Sequence, residues 1–313
     1  MDQNIWGNNF KMEEILVSVI IPTYRRSVEF LSRAVDSVRK QTYGNIEIII
    51  VDDSTALFSG RKDIEAYIAT IADDRINYYQ NESNLGGSLS RNRGIQLSKG
   101  EYITFLDDDD EYLPEKIEKQ LEFMRRSGCD LSFENMVMYS NKGNVVDFRE
   151  YKDIPAFDND TLLKYHLMKH LTGTPTFMFR AEKLKEIGGF DDATMGQEFY
   201  LMLKAIQNGL KIGYSSQCNV KVYRHNQEAI STGRNKINGE KALFAYKKRY
   251  FGQLDRFEKR YIRFRHYIVM AVAYKRNHMA LKAVGSVMLA FVVAPITFIK
   301  EVLGFCSKII NHR

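Results

Sequence analysis

Three stretches constrain the fold of this 313-residue chain more than any others: "VSVIIPTY" (Val17–Tyr24), "IEIIIVDDS" (Ile46–Ser54) and "EYITFLDDDD" (Glu101–Asp110). Each is a nearly unbroken run of β-branched and other apolar residues that stops abruptly at polar ones. A strand with one wet face alternates in polarity, whereas a strand apolar on both faces must be covered on both. The intervening segments supply the cover. Residues 33–44, 60–74, 86–100 and 113–128 carry apolar side chains at helical spacing, and Arg75–Asn81 reads as a further short strand. The pattern predicts an α/β fold, a Rossmann-like, mainly parallel sheet with helices on both faces. In such sheets ligands bind beyond the carboxyl ends of the strands. Pro22–Tyr24, Asp52–Asp53 and Asp107–Asp110 all follow strand ends, so they are expected to converge on one edge.

After about residue 130 the alternation weakens. A hairpin is expected with its turn near Asn141–Gly143, then a loop-rich stretch from Gly173 to Asp192, then an amphipathic helix from Met195 to Gly209. From about Glu240 the chain reads as helical, basic and aromatic. The expected organisation is a tail at 1–15, an α/β half at 16–130, a second half at 131–240 and a C-terminal helical, membrane-associating region at 241–313.

The net charge of +6 suits an anionic partner such as a phosphorylated substrate or a membrane surface. Cys129, Cys218 and Cys306 lie far apart without a CxxC pattern, which points to a reduced, cytoplasmic setting. The polar N-terminus lacks the basic-then-apolar order of a signal peptide. Ala283–Ile299, "AVGSVMLAFVVAPITFI", contains no charge and is bordered by Lys275, Arg276, Lys282 and Lys300. Three readings stand for it: an interfacial or re-entrant anchor holding the chain on the cytoplasmic face of a membrane, a buried helical hairpin, or a true span interrupted by Pro295.

Four adjacent carboxylates at a strand end repel one another. They suit Mg²⁺ or Mn²⁺, which takes oxygen ligands and keeps water and substrate phosphate in its shell. The remaining aspartates are then available to sugar hydroxyls. The plain alternative is a solvated acidic turn before the helix that follows Pro114. No GxGxxG follows the first strand and no GxxxxGK[ST] occurs anywhere, which removes the main support for dinucleotide oxidoreductases and P-loop NTPases. Gly86–Ser88 opens a helix whose amides could face a phosphate, or is a plain helix start. His166 and His170 have the i, i+4 spacing of paired metal ligands, but no HExxH accompanies them.

Taken in order, "VSVIIPTYRR", "IEIIIVDDST", "NLGGSLSRNRGIQLSKGEYITFLDDDDEYLP" and "GGFDD…GQEFYLMLK" resemble the successive signatures of family-2 glycosyltransferases with the GT-A fold, over about residues 16–240. The resemblance implies a nucleotide-diphospho-sugar donor, a UDP-sugar foremost, with Mn²⁺ or Mg²⁺, a glycan or lipid-linked saccharide acceptor, and inversion at the anomeric carbon. Residue by residue, Pro22, Thr23 and Tyr24 match the loop that borders the nucleotide base. Asp53 matches the aspartate that contacts the base, with Asp52 supporting its loop, and Arg91 and Asn92 match the "RN" of the following helix. Asp109 is the expected metal ligand, Asp107 lies near ribose or metal, and Asp108 lies with the donor. His225 is matched to the diphosphate or metal, or is a structural loop histidine. Arg25 is weighed as a partner for a donor phosphate against a solvent-facing side chain. Tyr112 departs from the family's usual Trp. Glu198 matches the acid at the start of the last signature helix and is the expected general base, where the family more often has Asp. Asp191 and Asp192 are its reserves. Two other functions remain to be separated from this one: a nucleotidyltransferase, which should carry a Gly-rich loop after the first strand, and an inactive nucleotide- or glycan-binding module.

Overall fold

The computed structural model describes residues 14–311 except 141, 172, 194 and 225–232, with the backbone alone for 233 and 304–311. In chain order the elements are β1 (Val17–Thr23), α1 (Val28–Arg39), β2 (Ile46–Asp52), α2 (Gly60–Thr70), β3 (Ile76–Gln80), α3 (Gly87–Leu97), β4 (Tyr102–Phe105), β5 (Glu111–Tyr112), α4 (Lys116–Ser127), β6 (Leu131–Glu134), β7 (Met136–Ser140) and β8 (Val145–Arg149). They continue with α5 (Asn159–Lys169), β9 (Met178–Arg180), α6 (Ala181–Glu186), α7 (Gln197–Gln207), β10 (Ile212–Ser215), β11 (Val220–Arg224), α8 (Gly233–Lys247), α9 (Arg256–Arg276), α10 (Ala280–Val293) and α11 (Pro295–Asn311). Described residues within Met1–Asn159, Thr172–Ala193 and Gln197–Asn226 form one compact unit, and those within Asp160–Leu171, Thr194–Gly196 and Gln227–Arg313 form another.

The first unit is built on a seven-stranded sheet in the order β10-β6-β9-β4-β1-β2-β3. β1 pairs in parallel with both β2 and β4, and β2 with β3. The apolar runs explain this centre: β2 is buried at every position, and β1 at every position but Pro22. α1 lays Leu31, Ala34, Val35 and Val38 onto this core. β9 is the one departure from parallel pairing, lying antiparallel between β4 and β6. It falls within the stretch expected to be loop, because three strand residues are too few to carry a period that can be read. The expected hairpin is β7–β8, turning between Ser140 and Asn144 with Gly143 at φ 77°. It belongs to a second sheet, β5-β11-β7-β8.

Gly94 sets how closely α3 approaches the sheet. A Cβ there would stand 2.5 Å from Cγ2 of Ile20 in β1, nearer than packed carbons allow. Gly94→Ala is therefore expected to push α3 outward and destabilise the fold by about 1–3 kcal/mol. Denaturant unfolding measures this, and an unchanged midpoint would show that Ile20 yields without cost.

In the second unit α9 starts at a reciprocal cap. Asp255 accepts from the Glu258 amide at 2.8 Å while the Glu258 carboxylate accepts from the Asp255 amide at 2.7 Å. His166 and His170 are placed as helix-end residues. Nδ1 of His166 accepts from the Leu171 amide at 2.9 Å, and His170 bonds to Lys247, whose ammonium also donates to Leu167 O at 2.7 Å. Those contacts take up one ring nitrogen of each histidine, and among the described residues no third ligand joins the pair. α10 and α11 meet at a bend of 113°. Pro295 takes the first position of α11, where its missing N–H costs nothing. Among the described residues no single helix is long and apolar enough to cross a membrane; Ala280–Val293 and Pro295–Leu303 reach that length and apolarity only as a bent pair. Within this pair α10 buries only Ser286 and Ala290, so its apolar side chains are largely uncovered.

Candidate active site at the carboxyl edge of the sheet

The sheet order places β1 between β2 and β4, so the chain runs outward from β1 through β2 to β3 and then crosses back to β4 on the other side of β1. A crevice opens at such a switch point. Thr23 lies in register with Asp52, and the Asp53 amide donates to Thr23 O at 2.8 Å. Across the switch the Thr23 hydroxyl donates to Oδ2 of Asp108 at 2.7 Å. The three polar groups predicted at this edge are thus brought together. Tyr24 stands exposed just beyond them.

The four aspartates are handled one by one. Asp107 pairs with Arg91. Asp108 is turned inward, and beside Thr23 its carboxylate takes Nε and Nη2 of Arg26 at 3.0 and 2.9 Å. Asp109 meets the same Nη2 at 3.1 Å, while its backbone carbonyl accepts from Arg33. Asp110 is buried and accepts from the Tyr223 amide at 3.0 Å. Arg33 in turn lies 4.2 Å from the Tyr223 ring centre, closing the far side. Repulsion within the run is thereby met with two guanidinium groups, a hydroxyl and an amide on its side chains. Only Asp107 and Asp109 keep side chains substantially open to solvent, at 35% and 21%.

Burial dominates the protonation of Asp108, Asp109 and Asp110. Asp109 is pushed up to about 7 by burial and then by the charge of Asp108. Burial also raises Asp108, against the pull of Arg26, and lifts Asp110 well above the usual carboxylate range with help from Asp107. A divalent cation would relieve this charge. Among the described residues no three His, Cys, Asp or Glu side chains form a metal cage. The open donors are therefore one or two hard carboxylates, which fits a cation whose remaining positions go to water and phosphate.

Asp53 is buried and faces the start of α3, accepting from Asn81 Nδ2 at 2.7 Å and from the Leu85 and Gly86 amides at 2.8 Å each. Of the Gly86–Ser88 amides weighed as phosphate donors, that of Gly86 serves Asp53 instead. Three of its roughly four acceptor positions are used, leaving one on Oδ2. Asp52 accepts from the Ser54 amide at 2.8 Å and the Tyr78 hydroxyl at 2.6 Å, so it braces the same loop. Asn92 clamps the backbone of Phe190, donating to its carbonyl and accepting from its amide at 2.8 Å each.

Glu198 lies half-buried in the first turn of α7. Phe199, Met202, Leu203 and Ile206 seat that helix in the core. Its neighbour Gln197 accepts from Nη1 of Arg91 at 2.7 Å, so Arg91 bridges the start of α7 to Asp107. Among the described residues Glu198 has no hydrogen-bond or ion-pair partner, leaving its carboxylate uncommitted. Asp191 pairs with Lys204, and Asp192 is exposed. His225 lies outside the described residues. Arg25 is exposed with its guanidinium near the Tyr24 ring, and its neighbour Arg26 is the one that reaches the acidic run. Arg26, Arg33 and Gln197 escape a reading of the sequence, because nothing local distinguishes them from surface residues of the same segments.

The profile of glycosyl transferase family 2 matches residues 18–188, from within β1 to just past α6. The chain belongs to glycosyl transferase family 2. It is therefore a glycosyltransferase. It is 30% identical over 233 residues to TuaG of Bacillus subtilis (strain 168), provisionally named as a teichuronic acid biosynthesis glycosyltransferase, covering 74% of this chain and 87% of that one. It is 26% identical over 252 residues to WcaA of Escherichia coli (strain K12), provisionally named for colanic acid biosynthesis, covering 79% and 85%. Among solved structures it is similar to TarS of S. aureus in complex with UDP-GlcNAc, at 18% identity and a TM-score of 0.59 over 89% of this chain and 91% of that one. At that identity the likeness speaks for the GT-A fold.

Proposed function

We propose that the chain moves a sugar from a nucleotide-diphospho-sugar, a UDP-sugar foremost, to a hydroxyl of a glycan or lipid-linked acceptor during surface polysaccharide assembly, with inversion. The observation that carries this is the acidic strand end at the sheet's switch point, where Asp107 and Asp109 alone of four carboxylates reach the crevice. The names of TuaG and WcaA support a polysaccharide product. The fold shared with TarS, crystallised with UDP-GlcNAc, supports the donor class.

Asp109, with Asp107 beside it, would hold Mn²⁺ or Mg²⁺, which when bound neutralises charge on the diphosphate. The other roles belong to the chain's own side chains. Thr23 and Arg26 fix Asp108 and with it the backbone that presents Asp109. Tyr24 and the open acceptor position of Asp53 border the base. An acceptor hydroxyl is a weak nucleophile near neutral pH, so a carboxylate must take its proton. Glu198 fits that role because it stands apart from the acidic run and is uncommitted. As the hydroxyl oxygen bonds to the anomeric carbon from one face, the bond to the diphosphate breaks on the other. The proton passes to Glu198 and the electron pair leaves with the nucleoside diphosphate.

Incubation with a panel of nucleotide sugars and Mn²⁺ tests the proposal. Release of nucleoside diphosphate, suppressed by a chelator, is the expected result. Formation of pyrophosphate from a nucleoside triphosphate and a sugar phosphate would instead establish a nucleotidyltransferase. Binding without turnover of any donor or acceptor would establish an inactive module.

A further inference from the structure

α10 is packed inside out. The residues it buries, Ser286 and Ala290, are small, and Ala290 with Ala294 packs against Phe264, Tyr267 and Ile268 of α9. Its large aliphatic side chains point the other way: Leu281 is 91% exposed, Met288 64% and Val292 72%. Val284 and Phe291 fall between them at helical spacing, and beyond the bend Ile296 and Leu303 of α11 extend the exposed surface. A helix in water turns its bulky apolar face inward. Scattered exposed apolar residues need no explanation, but a stripe of this extent marks a partner.

We propose that this bent pair is a wedge that seats in the headgroup–acyl boundary of a bilayer leaflet rich in anionic lipid. Length excludes a span by either arm alone: α10 has 14 residues, about 21 Å, against a hydrocarbon core of about 30 Å. Charge selects the partner. Lys275 and Arg276 are exposed just before α10, Lys282 in its first turn and Lys300 in α11, while Glu301 is the one acidic residue from 275 to 303. Lys and Arg stems can lie along the apolar face while their heads remain at phosphate level. A second copy seated on the same stripe would bring these cations together with only Glu301 of each copy as counter-charge.

Flotation of the full chain with vesicles of phosphatidylcholine, alone or mixed with phosphatidylglycerol, tests the wedge. The protein is expected to float with the mixed vesicles and far less with phosphatidylcholine alone. Met288→Glu with Val292→Glu alters only exposed positions, so it is expected to fold with an unchanged melting temperature and to lose binding at least about tenfold. Lys275→Glu with Lys282→Glu is expected to abolish the preference for the mixed vesicles. Wild-type protein that stays at the bottom of the gradient with both vesicles overturns the proposal. So does a dimer in solution that Met288→Glu with Val292→Glu dissociates, which would assign the stripe to a second copy.

Discussion

Asp109→Asn is expected to abolish cation-dependent donor binding, lowering affinity by at least about a hundredfold, since even residues that only support metal ligands cost 10–100-fold. The fold should survive and the metal-free protein should gain stability, because burial and the charge of Asp108 hold this carboxyl at about 7. An acid whose pKa is raised by folding favours the folded state fully below its unfolded pKa, near 4. That contribution is lost as pH rises through about 7. Asp108 and Asp110 shift in the same direction. Metal-free wild type is therefore expected to melt lower at pH 8 than at pH 6, and the difference should shrink in Asp109→Asn. Mn²⁺ competes with the proton, so its stabilising effect should be larger at pH 8. Calorimetry with UDP and Mn²⁺ together with melting curves reads all of this. Unchanged Mn²⁺-dependent affinity in the variant would remove Asp109 from the metal site.

Glu198→Gln keeps the shape of the side chain and removes its basicity. Turnover is expected to fall by about a hundredfold or more, the usual range for a positioned general base, with donor affinity nearly unchanged. α7 should not move, since Phe199, Met202, Leu203 and Ile206 anchor it and Gln197 remains on Arg91. The readout is single-turnover transfer with saturating donor. Near wild-type turnover would shift the role toward Asp192, which is exposed, or Asp191, which would first have to leave Lys204.

The central strands were legible because β1, β2 and β4 are buried on both faces and must be apolar along their length. Their carboxyl ends were legible for the same reason, since a polar residue marks where cover stops. β9 was not, because three residues between α5 and α6 carry no measurable period. The acidic run was visible as a charge problem, but its solution was not. Nothing in "PTYRRSVEF" says that Arg26 rather than Arg25 turns inward; the turn at Arg25, with φ 48°, decides it. Asp108 looked like a donor contact and is instead the buried post to which Thr23 and Arg26 are tied. The apolar C-terminal run was plain, yet only packing shows that its small residues face inward and its large ones outward.

The most direct test is crystallographic: anomalous scattering from Mn²⁺ in crystals grown with UDP. A single peak at coordination distance from the Asp109 carboxylate, with the diphosphate on its other side and the base between Tyr24 and Asp53, is the predicted result. A nucleotide bound elsewhere, or bound at this edge with the metal away from Asp109 and Asp107, would contradict it.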